Sequence, residues 1–193
     1  MRVILASASP RRRELLHQVG VEFEVVPAVG EEMGTASEPW ELVEELADCK
    51  AAEVFGRLKA SGEAMAEDFA VLGADTVVAL DGKILGKPGD ESNAFQMLSS
   101  LQGRKHQVYS GVAVYFQREG RQERKCFHVM TEVEVFPMAE AQITAYIATG
   151  EPMDKAGAYG IQGRFARYIK GIVGDYYNVV GLPVSRVVQA LFS

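Results

Sequence analysis

The chain is poor in cysteine, has no long apolar segment and has no excess of positive charge, and each absence excludes a class of protein. Its only two cysteines, Cys49 and Cys126, are isolated, so they fit neither a disulfide framework nor a zinc site. No stretch approaches the roughly 18 apolar residues of a membrane-spanning helix. The net charge of −6 argues against general electrostatic binding to nucleic acid or to anionic membranes.

The rest of the composition is that of a globular protein. Of 193 residues, 48% are hydrophobic and 24% are charged, which is enough for one domain with a sizeable core or with two lobes. The apolar run at the N-terminus is too short for a secretory signal peptide. We therefore expect a single cytoplasmic domain over residues 1–193, with no internal linker, in which any site for a polyanion is a local basic pocket.

The first predicted helix has an unfavourable distribution of charge. Ser9 is a good N-cap, Pro10 suits the first helical position, and an apolar face follows until Gly20 ends the helix. The first turn carries three arginines at residues 11–13, although the N-terminus of a helix is already the positive end of its dipole. Either a phosphate compensates, bound by Ser7, free backbone N–H groups and guanidinium groups, or the three arginines are simply solvated.

Two further segments place a charge among apolar residues. Residues 39–58 have the apolar period of a helix, and Lys50 interrupts it, either as a lysine that snorkels from the edge or as one that meets an anion in a cleft. Residues 69–80 form a continuous apolar strand except for Asp75 and Thr76. A carboxylate there is costly unless it is paired or binds a metal, so Asp75 is the best single candidate for chemistry. The alternative is that Asp75 caps a neighbouring element at a strand end or bulge.

A glycine-rich segment at residues 150–163 is the third informative stretch. Its glycines permit positive φ and close approach of the backbone to a ligand. Asp154, Lys155 and Gln162 give this segment several polar chemistries, which favours a ligand-binding loop over the alternative of a flexible connector. Lys87 is either a second cation of the same pocket or an ordinary surface lysine.

The remaining pattern predicts hairpins and helices around the central strand. Asp81-Gly82 marks a tight turn, and Asp90 is expected to cap a helix. Two antiparallel hairpins are predicted, one from residues 107–116 and 126–136 and one from residues 165–173 and 176–180. Strands interspersed with helices favour an α/β fold with a mixed sheet.

Six short blocks follow one another in an order and at spacings that a known family shares. They are SASPRR at residues 7–12, LADCKA at 46–51, GADTVV at 73–78, GKP at 86–88, DKAGAYGIQG at 154–163 and VVGLP at 179–183. In these blocks the chain resembles the Maf family of nucleoside triphosphate pyrophosphatases over nearly its whole length. The resemblance implies an elongated two-lobed α/β fold, similar to inosine triphosphate pyrophosphatases, with a long mixed sheet flanked by helices and a nucleotide cleft between the lobes.

The resemblance also implies an activity and a site. The reaction is cleavage of the α–β phosphoanhydride of a nucleoside triphosphate with a divalent metal, and Asp75 matches the catalytic acidic position. We expect Asp75, with Glu32 as its helper, to bind Mg²⁺ or Mn²⁺ and to activate water. Many relatives have Asp-Glu where this chain has Glu31-Glu32, which keeps the charge. The triphosphate is expected to be held by Arg11, Arg12, Lys50 and Lys87, with hydrogen bonds from Ser7 and with Asp154 and Lys155 also in the cleft.

Three residues resemble the specificity positions of the family's dTTP/UTP group: Arg11, Thr76 and Gln162. The sister group, similar to 7-methylguanosine-triphosphate pyrophosphatases, usually has Gln after the catalytic Asp and Glu in place of this Gln. A glutamine amide has both a donor and an acceptor, which suits O4 and N3–H of uracil or thymine. We therefore expect hydrolysis of dTTP, UTP and modified pyrimidine nucleotides.

Two questions stay open at this stage. The alternative function is a nucleotide-binding regulatory protein that acts on septum formation without needing turnover, because the Maf name is associated with septum inhibition. The family resemblance suggests a homodimer, but the sequence leaves the oligomeric state open. No nucleic-acid or membrane partner is expected.

Overall fold

The computed structural model of the protein describes residues 1–30, 34–61 and 68–193. Glu31 and Glu32, and with them one of the two predicted metal ligands, lie outside the described residues. The strands are β1 (Arg2–Leu5), β2 (Glu24–Val25), β3 (Phe69–Leu80), β4 (Lys83–Leu85), β5 (Lys105–Arg118), β6 (Arg121–Val135) and β7 (Ile169–Val173). The helices are α1 (Pro10–Gln18), α2 (Pro39–Ala60), α3 (Glu91–Leu101), α4 (Glu140–Ile147), α5 (Tyr176–Val180) and α6 (Val184–Phe192). In the ranges that the structure describes, no helix combines the length and the apolarity needed to cross a bilayer.

Within the described residues, the strands form one seven-stranded mixed sheet. Its order is β2-β1-β3-β5-β6-β7, and β4 pairs with β3 off this path. Strand β1 runs parallel to β2 and β3, whereas the pairs β3–β5, β5–β6, β6–β7 and β3–β4 are antiparallel. The expected α/β class, with a mixed sheet flanked by helices, is confirmed.

Different neighbours cover different parts of strand β3, and this opens a gap in the sheet. Along one edge, β1 pairs with residues 69–72 and β4 pairs with residues 78–80, while β5 pairs along the whole of the other edge as far as Ala79. Among the described strands, residues 73–77 are therefore paired only on the β5 side. Asp75 and Thr76 lie at this gap, so the topology itself leaves space for a ligand beside them.

Helix α2 lies directly against β3 and β5 because two glycines permit the close approach. A Cβ on Gly73 would overlap the carbonyl oxygen of Ala47, and a Cβ on Gly111 would overlap the backbone of the same helix. Since side chains on a strand alternate between faces, Gly73 and Asp75 share the face that α2 covers. The close contact at Gly73 thereby brings Lys50 of α2 to Asp75.

Several local predictions are confirmed. Asp81 and Gly82 form the β3–β4 turn, with φ of 51° and 77°. The Asp90 carboxylate caps α3 by accepting the Asn93 N–H at 2.7 Å. Strands β5 and β6 pair as the predicted antiparallel hairpin.

The second predicted hairpin is wrong, because Tyr176–Val180 is helix α5 and not a strand. Its two valines favour a strand by propensity, but tertiary contacts decide otherwise. Asp175 caps the helix, and its carboxylate accepts the N–H two residues ahead. The Asn178 amide donates to the Val108 carbonyl and to Thr131 Oγ1, both at 3.0 Å, which ties α5 to β5 and β6.

Candidate active site

A cleft of about 960 Å³ opens at the gap beside β3. Binding sites for small molecules typically measure about 300–1,000 Å³, so this cleft has the size for a nucleotide. Ten of the eleven predicted site residues line it, namely Ser7, Arg11, Arg12, Lys50, Asp75, Thr76, Lys87, Asp154, Lys155 and Gln162. The eleventh, Glu32, is not described. The fold thus brings together side chains from distant parts of the chain, and their individual roles stay predictions.

Asp75 and Lys50 form an ion pair in the wall of the cleft. Lys50 Nζ lies 2.6 Å from Asp75 Oδ1, and the two side chains are only 13% and 14% exposed. Each charge makes the other tolerable, because a charge removed from water without a partner is strongly unfavourable. The interpretation of Lys50 as a snorkelling lysine is therefore wrong, since its ammonium group points inward to a carboxylate.

Arg12 stabilises the site through hydrogen bonds from a buried side chain. Its side chain is buried and donates from Nε to the Gly181 carbonyl at 2.9 Å, from Nη1 to Ser7 Oγ at 3.1 Å and from Nη2 to Thr76 Oγ1 at 3.4 Å. These partners belong to the turn after α5, the turn before α1 and strand β3. Arg12 lines the cleft and also joins three segments that form it.

A chain of hydroxyl groups continues from Arg12 into the sheet. Thr76 Oγ1 lies 2.7 Å from Ser110 Oγ on β5, and the Ser110 hydroxyl donates to the Asn178 carbonyl at 3.1 Å. Ser110 and Asn178 are fully buried. Buried polar groups are normally satisfied in this way, and a connected network holds its members in one geometry. Thr76, a predicted specificity residue, is therefore held firmly.

The arginine run at the start of α1 divides into three environments. Ser9 occupies the N-cap position, but its side chain caps nothing; instead Ser7 Oγ accepts the Ser9 N–H at 3.3 Å. No acidic side chain lies in the first turn, so this turn itself supplies no compensating charge. Arg11 is half-buried at the cleft, whereas Arg13 is exposed and does not line it. The positive helix end and Arg11 therefore leave a place where an anion is favoured.

Asp154 and Lys155 form another wall of the cleft. Lys155 Nζ donates to Asp154 Oδ1 at 2.6 Å and to the Glu151 carbonyl at 2.7 Å. The hydrogen bond from Lys155, with a smaller contribution from the charge of Arg11, holds the pKa of Asp154 below its usual value. Arg11 and Asp154, which are 143 positions apart in the chain, thus both line the cleft.

Sequence reasoning missed Glu151 and Tyr146, which hold the loop that carries Gln162. Glu151 lines the cleft, and its carboxylate accepts the Tyr146 hydroxyl and the Arg164 N–H, both at 2.9 Å. The only signal in the sequence was the position of Glu151 directly after Gly150, at the start of the glycine-rich segment. Tyr146 reads as an ordinary apolar-face residue of α4, which it also is.

Asp75 is the described carboxylate best placed to help hold a divalent metal. In the part of the chain that the structure describes, no group of three or more His, Cys, Asp or Glu side chains forms a metal cage. Mg²⁺ commonly binds one or two carboxylates together with phosphate oxygens of the substrate. Of the cleft carboxylates, Glu151 and Asp154 are engaged by neighbours in their own segment, so Asp75, beside Lys50, fits best a metal that is shared with a triphosphate.

The comparisons with known proteins agree with the family resemblance. The family model described as Maf-like protein matches residues 2–193. A protein of Agathobacter rectalis named dTTP/UTP pyrophosphatase is 54% identical over 98% of this chain and 95% of its own length. Proteins of the same name from Symbiobacterium thermophilum and Thermococcus kodakarensis are 53% and 49% identical. These two alignments cover 98% and 96% of this chain and 92% and 93% of the relatives.

Proposed function

The chain belongs to the Maf family, and from this premise we propose that it hydrolyses dTTP and UTP to the nucleoside monophosphate and pyrophosphate. The observation that carries the proposal is the cleft in which one ion-paired carboxylate, Asp75, lies among the cationic side chains of Arg11, Lys50 and Lys87. A polyanion needs several cations, and a hydrolytic centre needs a carboxylate that is placed among them. The names of the relatives supply the substrate class.

The cationic groups bind and orient the triphosphate. Lys50 has three N–H donors, so it can keep its hydrogen bond to Asp75 while it donates to a phosphate oxygen. Arg11 and the N-terminus of α1 face the cleft from one segment, and Lys87 faces it from the segment after β4. Together they hold the α-phosphate near Asp75, which makes attack by water effectively intramolecular.

Asp75 is the group placed to accept a proton. Water attacks the α-phosphorus, the bond from this phosphorus to the oxygen that bridges to the β-phosphate breaks, and pyrophosphate leaves. The proton released by the attacking water passes to the Asp75 carboxylate. Asp75 and Glu32 would hold Mg²⁺ or Mn²⁺, and the metal supplies charge neutralisation at the reacting phosphate.

Gln162 is the residue that we propose to read the base. Gln162 is exposed on the loop of residues 160–164 and lines the cleft. Its amide provides one donor for O4 and one acceptor for N3–H of uracil or thymine. Thr76 is held by hydrogen bonds to Arg12 and Ser110, so it offers the nucleotide a contact at a fixed position.

A substrate panel tests this function. Purified protein with Mg²⁺ or Mn²⁺ is given each common ribo- and deoxyribonucleoside triphosphate, and release of pyrophosphate and of monophosphate is measured separately. We expect turnover that is fastest with dTTP and UTP and that yields pyrophosphate, not orthophosphate. Tight nucleotide binding with no turnover of any nucleotide would overturn the proposal in favour of a regulatory nucleotide-binding protein.

Two further properties belong to the same proposal. We propose a dependence on added metal, so that EDTA abolishes turnover and Mg²⁺ or Mn²⁺ restores it. We also propose a homodimer in the cytoplasm, on the ground of the family resemblance. Sedimentation equilibrium of the purified chain tests the dimer, and cell fractionation tests the location.

A further inference from the structure

Two backbone N–H groups of the loop that carries Gln162, one on each side of that residue, donate hydrogen bonds to side chains. The Gly160 N–H donates to the Tyr146 hydroxyl at 3.3 Å, and the Arg164 N–H donates to Glu151 Oε2 at 2.9 Å. The Tyr146 hydroxyl in turn donates to Glu151 Oε1 at 2.9 Å. Residues 160–164 are therefore closed into a ring by two side chains, and Gln162, which is exposed, is the middle residue of this segment.

The Glu151 carboxylate lies within this ring, although the residue also lines the cleft. Its two oxygens accept from different donors, and a Cβ on Gly163 would overlap Oε1 and crowd Oε2. Gly160 is also close to its neighbours, since a Cβ there would lie 2.7 Å from Lys155 Cε. The glycines on either side of the Ile161-Gln162 pair thus serve close packing of the loop against Glu151 and Lys155.

Further hydrogen bonds and packing connect the ring to helix α4 and to the residues that follow it. The Glu151 N–H donates to Thr149 Oγ1 at 3.2 Å, and the Glu151 carbonyl accepts from Lys155 Nζ at 2.7 Å. Tyr146 is 4% exposed on α4, and its ring packs on the buried Phe165 at a centroid distance of 5.1 Å. Glu151 therefore transmits the position of α4 to the loop of Gln162.

We infer that Glu151, acting with Tyr146, is a positioning residue that sets base selectivity by fixing the loop on which Gln162 meets the nucleobase. The inference deepens the proposed function and rests on it. Selection between thymine and cytosine depends on one donor and one acceptor at defined places. A loop that drifts loses this distinction before it loses contact with the phosphates, which are bound elsewhere in the cleft.

Different substitutions of Glu151 and Tyr146 should remove different hydrogen bonds of the ring. Alanine removes both acceptors and frees the Arg164 N–H and the Tyr146 hydroxyl. Glutamine keeps one oxygen for the Arg164 N–H, and its NH₂ group can donate to the Tyr146 oxygen, so it restores part of the ring. Tyr146→Phe removes only the hydroxyl and keeps the packing on Phe165.

The test compares kcat/KM for dTTP with kcat/KM for dCTP in each variant. We expect Glu151→Ala to lower this ratio about ten-fold, Tyr146→Phe to lower it about three-fold, and Glu151→Gln to lie between Glu151→Ala and wild type. Tyr115→Phe is the matched control, because Tyr115 also donates its hydroxyl to a carboxylate, that of Asp48, but does not line the cleft. We expect the control to keep the wild-type ratio.

A double variant shows whether Glu151 acts through Gln162. In a Gln162→Ala background, Glu151→Ala is expected to cause no further change in the ratio, since the group that it positions is gone. Equal loss of kcat/KM for dTTP and dCTP in Glu151→Ala and Tyr146→Phe, with the ratio intact, would overturn the inference and leave the proposed function standing. Absence of turnover by the wild-type chain would overturn both.

Discussion

Two parts of the cleft, one proposed to bind the triphosphate (the phosphate end) and one proposed to read the base (the base end), are built in different ways. At the phosphate end, buried side chains from the sheet and its helices hold one another, as Lys50 holds Asp75 and Arg12 holds Thr76. At the base end, Gln162 is exposed on a loop whose backbone is held by Glu151 and Tyr146. The first arrangement suits a reaction that needs charges at fixed distances, and the second suits recognition that varies while the scaffold is kept. Substitutions at the phosphate end should therefore reduce turnover, whereas substitutions at the base end should change the preference among bases.

Asp75→Asn should have the largest effect on turnover, and it should also lower stability because Lys50 loses its charged partner. Asparagine keeps an oxygen that accepts from Lys50 but cannot take up a proton, so we expect kcat to fall about 10²–10⁴-fold with the fold retained. Steady-state kinetics and thermal unfolding measure the two effects. Asp48→Asn, which removes a carboxylate on α2 away from the cleft, should keep kcat. Near-normal turnover by Asp75→Asn would remove the chemical distinction between the two ends.

Acid should act on the scaffold near the base end through His106. This histidine is fully buried on β5, and its Nε2 lies 2.7 Å from the hydroxyl of Tyr159, a residue that lines the cleft. Burial lowers the pKa of His106 from 6.5 to about 4. The unfolded chain protonates His106 more readily than the folded chain does. The stability that depends on neutral His106 is therefore fully present above about pH 6.5. It is lost as the pH falls toward 4, where the free energy of unfolding decreases by up to about 3 kcal/mol.

The pH effect is measured as a difference between chains. Urea unfolding at pH 7 and at pH 4.5 gives the free energy of unfolding for wild type and for His106→Gln. We expect the variant to start less stable and to lose less stability on acidification. His17→Gln, at an exposed position on α1, should follow the wild-type pH dependence. Parallel curves for His106→Gln and wild type would contradict the assignment.

Gly73→Ala should separate α2 from the sheet and so weaken the phosphate end. The added Cβ overlaps the backbone of α2, so we expect a loss of about 1–3 kcal/mol in the free energy of unfolding. Because Lys50 moves with α2, kcat/KM should also fall, while the ratio for dTTP over dCTP stays near wild type. Gly56→Ala on the same helix meets nothing within 4 Å and should instead stabilise the protein by about 0.5–1 kcal/mol. A change in the base ratio of Gly73→Ala would show that the two ends are not independent.

Lys87→Ala should have the smallest effect. This lysine is exposed at the rim of the cleft, so its interaction with phosphate is screened by water and salt. We expect KM for dTTP to rise about five-fold at low ionic strength, less at high salt, with no change in melting temperature. Lys83→Ala, on the neighbouring strand β4 and outside the cleft lining, is the control. An equal rise in KM for the control would assign the effect to general surface charge.

Much of the fold followed from local pattern. The apolar run of β3 around Asp75, the Asp81-Gly82 turn and the cap at Asp90 depend on residues near in sequence, and all three are as expected. Helix α5 was missed because contacts of Asn178 with two strands outweigh the strand propensity of its valines. The wrong element is thus the one whose conformation is decided by distant partners.

The candidate site was predicted in its membership but not in its connections. The arginines of α1, Lys50 and Asp75 were identified because each charge lies at the positive end of a helix or within an apolar run. Such an uncompensated charge can be recognised in the sequence alone. The hydrogen bonds from Arg12 to Gly181, Ser7 and Thr76 and the ring around Glu151 were not visible in the sequence, since most of their partners lie far away in the chain or are backbone groups.

The amino-acid sequence by itself determined which residues are chemically out of place and, through its six blocks, which family the chain belongs to. These are properties of composition, order and local period, and they survive without knowledge of the path of the chain. Only the tertiary structure decided which charged side chains form ion pairs with one another. Strand β3 loses its partner between β1 and β4, two glycines let α2 approach the sheet, and Lys50 then reaches Asp75. Pairing depends on distance in space, and only the packed sheet and helices set that distance.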